Sequence, residues 1–443
     1  MKRDLTNGSI ISSLLAFSGP MILGNLLQQV YNIADTFIVG RFLGENALAA
    51  VGSTYTLTTF LYSIIIGLCM GCGSLVSYCF GERNERRLKG CLNISFLIIS
   101  SVTLVTELIT LCFSNGILKL LHTPMKIMSL TSDYVRIILS GIVFIFLYNF
   151  YSFMLRGIGN SLTPLILLGS SSVLNIILDF IFVADLDMGV KGAAYATVIS
   201  QAVSGVGLCV YTLAKEPLLR LSFKKKSWKD CSFGEVVRMS TAASVQQSVM
   251  NFGILMIQGL VNSFGTTVMA AFTVAVKIDT VAYMPAQEFG NAFSLFISQN
   301  YGAKKYDRIK TCVKYSFGIS AASCVLISIL VAIFSNNLMG LFISDDKTEI
   351  IAVGSQYLVT EGSFYVGIGI LFLLYGYYRG INRPEIALVL TVISLGTRVA
   401  LAYFLSGFEA IGVFGIWISI PIGWVLADVV GIMYMNKKGR VTN

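Results

Sequence analysis

Asp35 is a carboxylate well inside an apolar run long enough to cross a bilayer. Reading back from it, Asn32, Gln28 and Asn25 follow at steps of three, four and three. All four share one face of a helix whose other faces are Leu, Ile, Val, Phe and Met. An ionised Asp facing lipid costs roughly 2.5–3.5 kcal/mol at a helix centre by the mildest scale, so Asp35 must face a cavity or a polar partner. A second carboxylate has the same character. In Ser171-Ser172-Val173-Leu174-Asn175-Ile176-Ile177-Leu178-Asp179, Asn175 and Asp179 stack four apart, with Ser171 or Ser172 a turn earlier. Thr197, Gln201 and Ser204 line up in the next apolar segment. Two carboxylates, an amide and a hydroxyl suit two kinds of chemistry. They can hold Na⁺ through oxygen ligands, or carry a proton where two close carboxylates resist being ionised together. The plainer alternatives are a structural hydrogen bond for Asp35 and a capping role at the membrane boundary for Asp179.

The later half of the chain also carries charge inside apolar segments. Lys277 and Asp279 flank a helical turn, Glu288 follows two to three turns on, and Glu361 and Arg398 lie further along. Intramembrane charges usually pair or face water, so an internal network involving Lys277, Glu288, Glu361 or Arg398 is expected. Glu288 and Glu361 are also candidate counter-charges for a cationic substrate. Gln246, Gln247, Asn251, Gln258 and Asn262 supply polarity without charge. Tyr134, Tyr148 and Tyr151, near Asn149, offer cation–π surfaces. The candidate cavity residues are therefore Asn25, Gln28, Asn32, Tyr134, Asn149, Gln201, Gln247, Asn251, Glu288 and Glu361.

These residues sit in a chain of 443 residues that is 55% hydrophobic and only 12% charged, about half the charge of a soluble domain. Apolar runs of about 20 residues recur from end to end, which marks an all-α polytopic membrane protein. Twelve spans are expected, near 11–39, 51–79, 91–113, 131–155, 163–184, 192–213, 235–262, 269–299, 313–334, 351–378, 385–406 and 413–435. The first run is too long for a signal peptide and contains Asp35, so it reads as the first span. Basic residues collect in alternate connections: Arg83 to Lys89, Lys215 to Lys229, Lys304 to Lys310, and the tail Lys437, Lys438 and Arg440. The positive-inside rule then places these loops and both termini in the cytoplasm, which accounts for the net charge of +9 without a nucleic-acid partner.

The halves repeat. Gly44-Glu45-Asn46-Ala47-Leu48-Ala49-Ala50 returns as Gly265-Thr266-Thr267-Val268-Met269-Ala270-Ala271, displaced by 265 − 44 = 221 positions. Arg156-Gly157 returns as Arg379-Gly380, and Gly189-Val190 as Gly412-Val413, displaced by 223 (379 − 156). Two pseudo-symmetric six-helix lobes in the same orientation follow, over 1–214 and 235–443, joined by a basic cytoplasmic linker over 215–234. Parallel repeats of this kind occur in secondary transporters.

Enzyme chemistry finds little support. There is one histidine, His122, in an expected loop, with no metal-ligand cluster and no Gly-x-x-x-x-Gly-Lys-Ser/Thr for a nucleotide. No cofactor is implied. The nine cysteines lie mostly in apolar segments, and Cys69-x-x-Cys72 reads as small helix-packing residues before a redox or metal pair.

Gly19-Pro20, Gln28-Gln29-Val30-Tyr31-Asn32-Ile33-Ala34-Asp35 and Gly40-Arg41-Phe42-Leu43-Gly44 resemble the first span and loop of the multidrug and toxic compound extrusion (MATE) family. Arg156-Gly157-x-Gly159-Asn160, Asn175-x-x-x-Asp179, Gly192-Ala193-Ala194-x-Ala196-Thr197, and Pro285 to Ala292 with Gln299 to Ala303 are similar to it as well. The resemblance implies a monomeric antiporter of the bacterial cytoplasmic membrane. It would export organic cations and amphipathic drugs in exchange for H⁺ or Na⁺ by alternating access. It also implies a first-lobe cation site at Asp35, Asn175, Asp179 and Thr197, and a helix bend at Pro20. The acidic residue that other members carry in the seventh span is absent, which weighs against a second-lobe ion site. A lipid-linked saccharide flippase of the same superfamily is the alternative. That class lines its cavity with arginines, and only Arg398 and Arg238 are near one here.

Overall fold

A computed structural model describes residues 4–120, 124–222, 231–343 and 347–437. His122, the linker lysines 224–226 and 229, Lys438 and Arg440 fall outside them. Thirteen α-helices are present among the described residues: α1 (Ile10–Gly81), α2 (Glu85–Leu120), α3 (Met128–Ser140), α4 (Ile142–Gly157), α5 (Leu162–Asp179), α6 (Gly189–Lys215), α7 (Phe233–Asn262), α8 (Thr266–Gly302), α9 (Tyr306–Gly340), α10 (Thr348–Gly362), α11 (Tyr365–Gly380), α12 (Pro384–Ser406) and α13 (Phe414–Lys437). Helix is the form such runs must take, because lipid offers no partner to backbone polar groups.

Eight of these helices are long and apolar enough to span a membrane, and α3 with α4 and α10 with α11 form bent pairs of 41° and 52° that each make one more. Helix α1 contains two spans. The loop expected over 40–50 is instead a single break at Gly44, with φ 79° and ψ −174°. Helix α7, diluted by its Ser and Gln residues, completes twelve transmembrane segments. The fourth and tenth expected spans are each two helices, broken at Gly141 and at Ser363–Phe364.

The repeat is written into the backbone. Ten described residues have positive φ, and eight of them pair across the halves: Gly44 with Gly265, Arg83 with Lys304, Gly159 with Asn382, and Gly189 with Gly412. The displacements are the 221 and 223 of the sequence repeat.

Two compact units result. One comprises Met1–Asp4 and Gly19–Gln247, the other Leu5–Ser18 and Ser248–Asn443. The boundary therefore cuts α1 just before Pro20 and α7 after Gln247. Within the first unit, a side chain at Gly67 or Gly71 would strike the backbone of α7 at Ser244 or Met239, and the Ser244 hydroxyl donates to the Ile64 carbonyl at 3.0 Å. Arg87 holds Glu235, near the start of α7, at 2.8 Å. Cys91 and Cys231 are joined as a disulfide, whereas Cys69 and Cys72 are buried free thiols. Within the second unit, Arg308 donates to the carbonyls of Leu5, Asn7 and Gly8, and Lys305 to that of Thr6 at 2.7 Å.

Candidate functional site

Helix α1 contributes Asp35 and α5 contributes Asn175 and Asp179, the last at the point where α5 gives way to a π-helical turn over Phe180–Asp185. Asn175 and Asp179 are 2% and 0% exposed. The two carboxylates face each other closely enough to interact electrostatically. Among the described residues, Asp35 Oδ1, both oxygens of Asp179 and both amide atoms of Asn175 are buried without a hydrogen-bond partner. Buried polar groups are satisfied in the great majority of cases, so five orphaned atoms on three neighbouring side chains mark a place built to receive something. Carboxylate and amide oxygens suit a hard monovalent cation, and a carboxylate oxygen equally suits a proton.

Two tyrosines lie within electrostatic reach of the pair, and a third lies beside them. Tyr134 of α3 lies within electrostatic reach of Asp35 and Asp179, as does Tyr31 of α1. Tyr62 is close to Tyr31, and the Gln201 amide lies against the Tyr62 hydroxyl. Gln28 meets Tyr31 in the same way. Tyr31 and Tyr62 are absent from the sequence-derived candidates. Tyr31 stands four residues before Asp35, a spacing that places it on the same helical face. Tyr62 has no such local signal.

The remaining candidates spread out. Thr197 is half-buried one turn before Gln201, without a hydrogen bond to either carboxylate among the described residues. Asn32 accepts the Thr36 hydroxyl through its carbonyl. Asn25 and Gln247 are half-buried in the first unit, and Asn251 in the second. Asn149 donates to the Ile145 carbonyl of its own helix at 2.9 Å, and Tyr148 to the Pro164 carbonyl.

The expected second-lobe network divides in two and excludes one member. Lys277 is exposed, a correction with a simple cause. It lies two residues from Asp279, and a two-residue step puts side chains on nearly opposite helical faces. Glu288 joins Asn291 at 3.1 Å, and Asn291 accepts from Arg379 at 3.0 Å while Arg379 also donates to Ser294 at 3.1 Å. Separately, Asp279, Glu361 and Arg398 gather with Tyr283, Tyr357 and Tyr365. The Tyr365 hydroxyl donates to Asp279 at 2.6 Å.

Twelve helical spans in two repeated lobes, with buried acidic clusters, define a polytopic α-helical membrane protein. The MatE family profile matches residues 20–181 and 242–404, and the chain belongs to that family. It is 30% identical over 434 residues to "Probable multidrug resistance protein YpnP" of Bacillus subtilis (strain 168), covering 97% of this chain and 96% of that one. It is 28% identical to "Probable multidrug resistance protein YoeA" of the same strain, covering 98% and 96%. Among solved structures, "Outward-facing conformation of a multidrug resistance MATE family transporter of the MOP superfamily" superposes with a TM-score of 0.91 at 23% identity, covering 99% of this chain and 98% of that one.

Proposed function

We propose that this chain is a secondary active multidrug efflux antiporter. It exports organic cations and amphipathic drugs in exchange for H⁺ or Na⁺, which bind at Asp35, Asn175 and Asp179, with Thr197 in support. The observation that carries this reading is the set of unpartnered buried atoms on the first three of those residues. The multidrug relatives named above support the substrate class. The protein works as a monomer in a bacterial cytoplasmic membrane with both termini inside, and performs no enzymatic step.

The physical logic is differential binding. Two facing carboxylates in a low-dielectric bundle repel each other, and a cation between them or a proton on one of them relieves that repulsion. A ligand shifts a conformational equilibrium only by its differential affinity for the two states. The orphaned atoms are where such a difference can arise. Pro20 leaves a carbonyl free in α1 and supplies the weak point at which that helix bends. Cation entry changes the contacts of Asp35, α1 bends, and alternating access releases drug. The candidate drug contacts of the first unit are Asn25, Gln28, Asn32, Tyr134, Gln201 and Gln247, and those of the second unit are Asn251 and Glu288.

The test uses purified protein in liposomes with a fluorescent organic cation, under an imposed pH gradient and then an imposed Na⁺ gradient. Wild type exports under one of them, and Asp35→Asn or Asp179→Asn abolishes it. Full gradient-driven export by Asp179→Asn would sink the proposal. Failure of wild type under both gradients would turn attention to lipid-linked saccharides.

A further inference from the structure

The cluster in the second lobe is the repeat of the first-lobe site with its charges rewritten. The first-lobe displacement of 221 carries Tyr62 onto Tyr283 (283 − 62) and Thr58 onto Asp279. The displacement of 223 carries Tyr134 onto Tyr357 (357 − 134), Ile138 onto Glu361 and Asn175 onto Arg398. Two tyrosines keep their places. The carboxylates move to other positions of the repeat, and the residue at the place of the amide brings a positive charge. Arg398 is 9% exposed, against 3% for Asp279 and 2% for Glu361. Its charge acts on both carboxylates. Its stem passes Gly423 of α13, where a side chain would strike the Ser394 carbonyl of α12 and crowd Arg398, so the arginine is seated by close helix packing. Among the described residues it closes no ion pair with either acid, and its Nε and Glu361 Oε2 both lack a hydrogen-bond partner. The guanidinium therefore serves the two acids jointly rather than being consumed by one.

We propose that Arg398 is a tethered cation for Asp279 and Glu361, and that it keeps closed a latent site for a monovalent cation in the second lobe. Two carboxylates without it would leave a buried double negative charge among tyrosine hydroxyls, an oxygen-rich setting that suits Na⁺. With it, the net charge of the two ionised acids is halved and the guanidinium takes the place an ion would occupy. This inference does not depend on what Asp35 and Asp179 bind, because every residue in it belongs to the second unit.

The same lobe supplies its own reporter. Trp417 packs edge-on against Tyr357 at 4.9 Å and stacks on Phe272 at 5.5 Å, and the Tyr357 hydroxyl faces Glu361. The chain has three tryptophans. Replacing Trp228 by Phe leaves only Trp417 and Trp424, both in the second unit. Tryptophan emission of this parent is followed in detergent during a Na⁺ titration at constant ionic strength against choline. The parent and Arg398→Lys stay silent. Arg398→Asn, which installs the first-lobe residue, gains a saturable response, and adding Glu361→Gln removes it. A saturable parent response that Glu361→Gln abolishes overturns the proposal, because the site would then be open with Arg398 in place. A folded, monodisperse Arg398→Asn that stays silent overturns it as well. Should Arg398→Asn fail to fold, the double variant Arg398→Asn/Glu361→Gln decides. It regains a cooperative melt if the arginine's task is to balance the acids, and failure of that rescue counts against the proposal.

Discussion

The two lobes share a backbone and differ in how they settle buried negative charge. The first brings Asp35 and Asp179 within electrostatic reach and, among the described residues, leaves one oxygen of Asp35, both of Asp179 and the Asn175 amide without hydrogen-bond partners. The second gives Asp279 a tyrosine donor at 2.6 Å and sets Arg398 beside both of its acids. A charge answered from within the protein has no need of an outside ion. A charge left open depends on one, and can couple that dependence to movement. On the functional reading proposed above, one repeat of the same frame takes an exchangeable partner and the other keeps a permanent one.

The largest effect that separates the lobes is functional. Asp179→Asn lowers gradient-driven export by at least about 100-fold, equivalent to about 2.8 kcal/mol at 1.4 kcal/mol per tenfold. Glu361→Gln lowers it by less than about tenfold on the same scale. Liposome flux under a fixed gradient measures both. Equal losses would break the comparison, because the second lobe would then carry the exchanged ion as well.

Next come the two repeated arginines. Arg379 is 3% exposed and donates to Asn291 and Ser294 beside Glu288. Its counterpart Arg156 lies over the Phe153 ring at 5.6 Å, with its Nε unpartnered. Removing one member of a buried charge network costs about 3–5 kcal/mol, whereas a cation–π contact is worth about 0.5–2 kcal/mol. Arg379→Ala is therefore expected to depress the thermal midpoint in detergent far more than Arg156→Ala. Arg379→Ala combined with Glu288→Gln should recover part of the loss.

How much of this was legible in the sequence follows from what each signal depends on. The spans were readable because lipid demands long apolar helices, and the repeat because both copies need glycine at the same turns. The approach of Asp35 to Asp179 was readable because an acid in an apolar run must find company. Which neighbours keep that company was not. In a bundle surrounded by lipid, outward and inward faces are both apolar, so helical periodicity does not orient Tyr62 toward the site or show that Arg398 serves Asp279. Lys277 misled because it is close to Asp279 in sequence while pointing elsewhere. The breaks at Gly141 and Phe364 also escaped notice, since each lies inside one continuous apolar run.

The repeated turns give a prediction in which the lobes should agree. Gly44 has φ 79° and ψ −174°, and Gly265 has φ 95° and ψ 173°, a region that is open essentially to glycine alone. Neither would bring an added Cβ within 4 Å of another group, so backbone strain is the whole cost. Gly44→Ala and Gly265→Ala should each cost about 1–3 kcal/mol, by similar drops in thermal midpoint. A clear inequality would show that one turn tolerates rearrangement and that the likeness of the lobes is shallower than their dihedral angles suggest.

The smallest effect distinguishes the two units by the kind of bond that holds the first turns of a long helix. Arg87 and Arg308 are repeats of each other, displaced by 221 (308 − 87). In the first unit Arg87 grips the carboxylate of Glu235 with two bonds, at 2.8 and 3.0 Å, and the partners are 22% and 15% exposed. In the second unit Arg308 grips neutral carbonyls, Gly8 at 2.6 Å and Asn7 at 2.9 Å. Either substitution by alanine should cost about 1 kcal/mol, as a partly exposed pair or as charged-donor hydrogen bonds. Salt should tell them apart. At 1 M ionic strength the screening length falls to about 3 Å from about 10 Å at 0.1 M, which weakens attraction between two full charges much more than a hydrogen bond to a carbonyl dipole. The deficit of Arg87→Ala should therefore shrink as salt rises, and that of Arg308→Ala should persist. If both deficits shrink together, Arg308 holds its helix by long-range charge rather than by the carbonyls it touches.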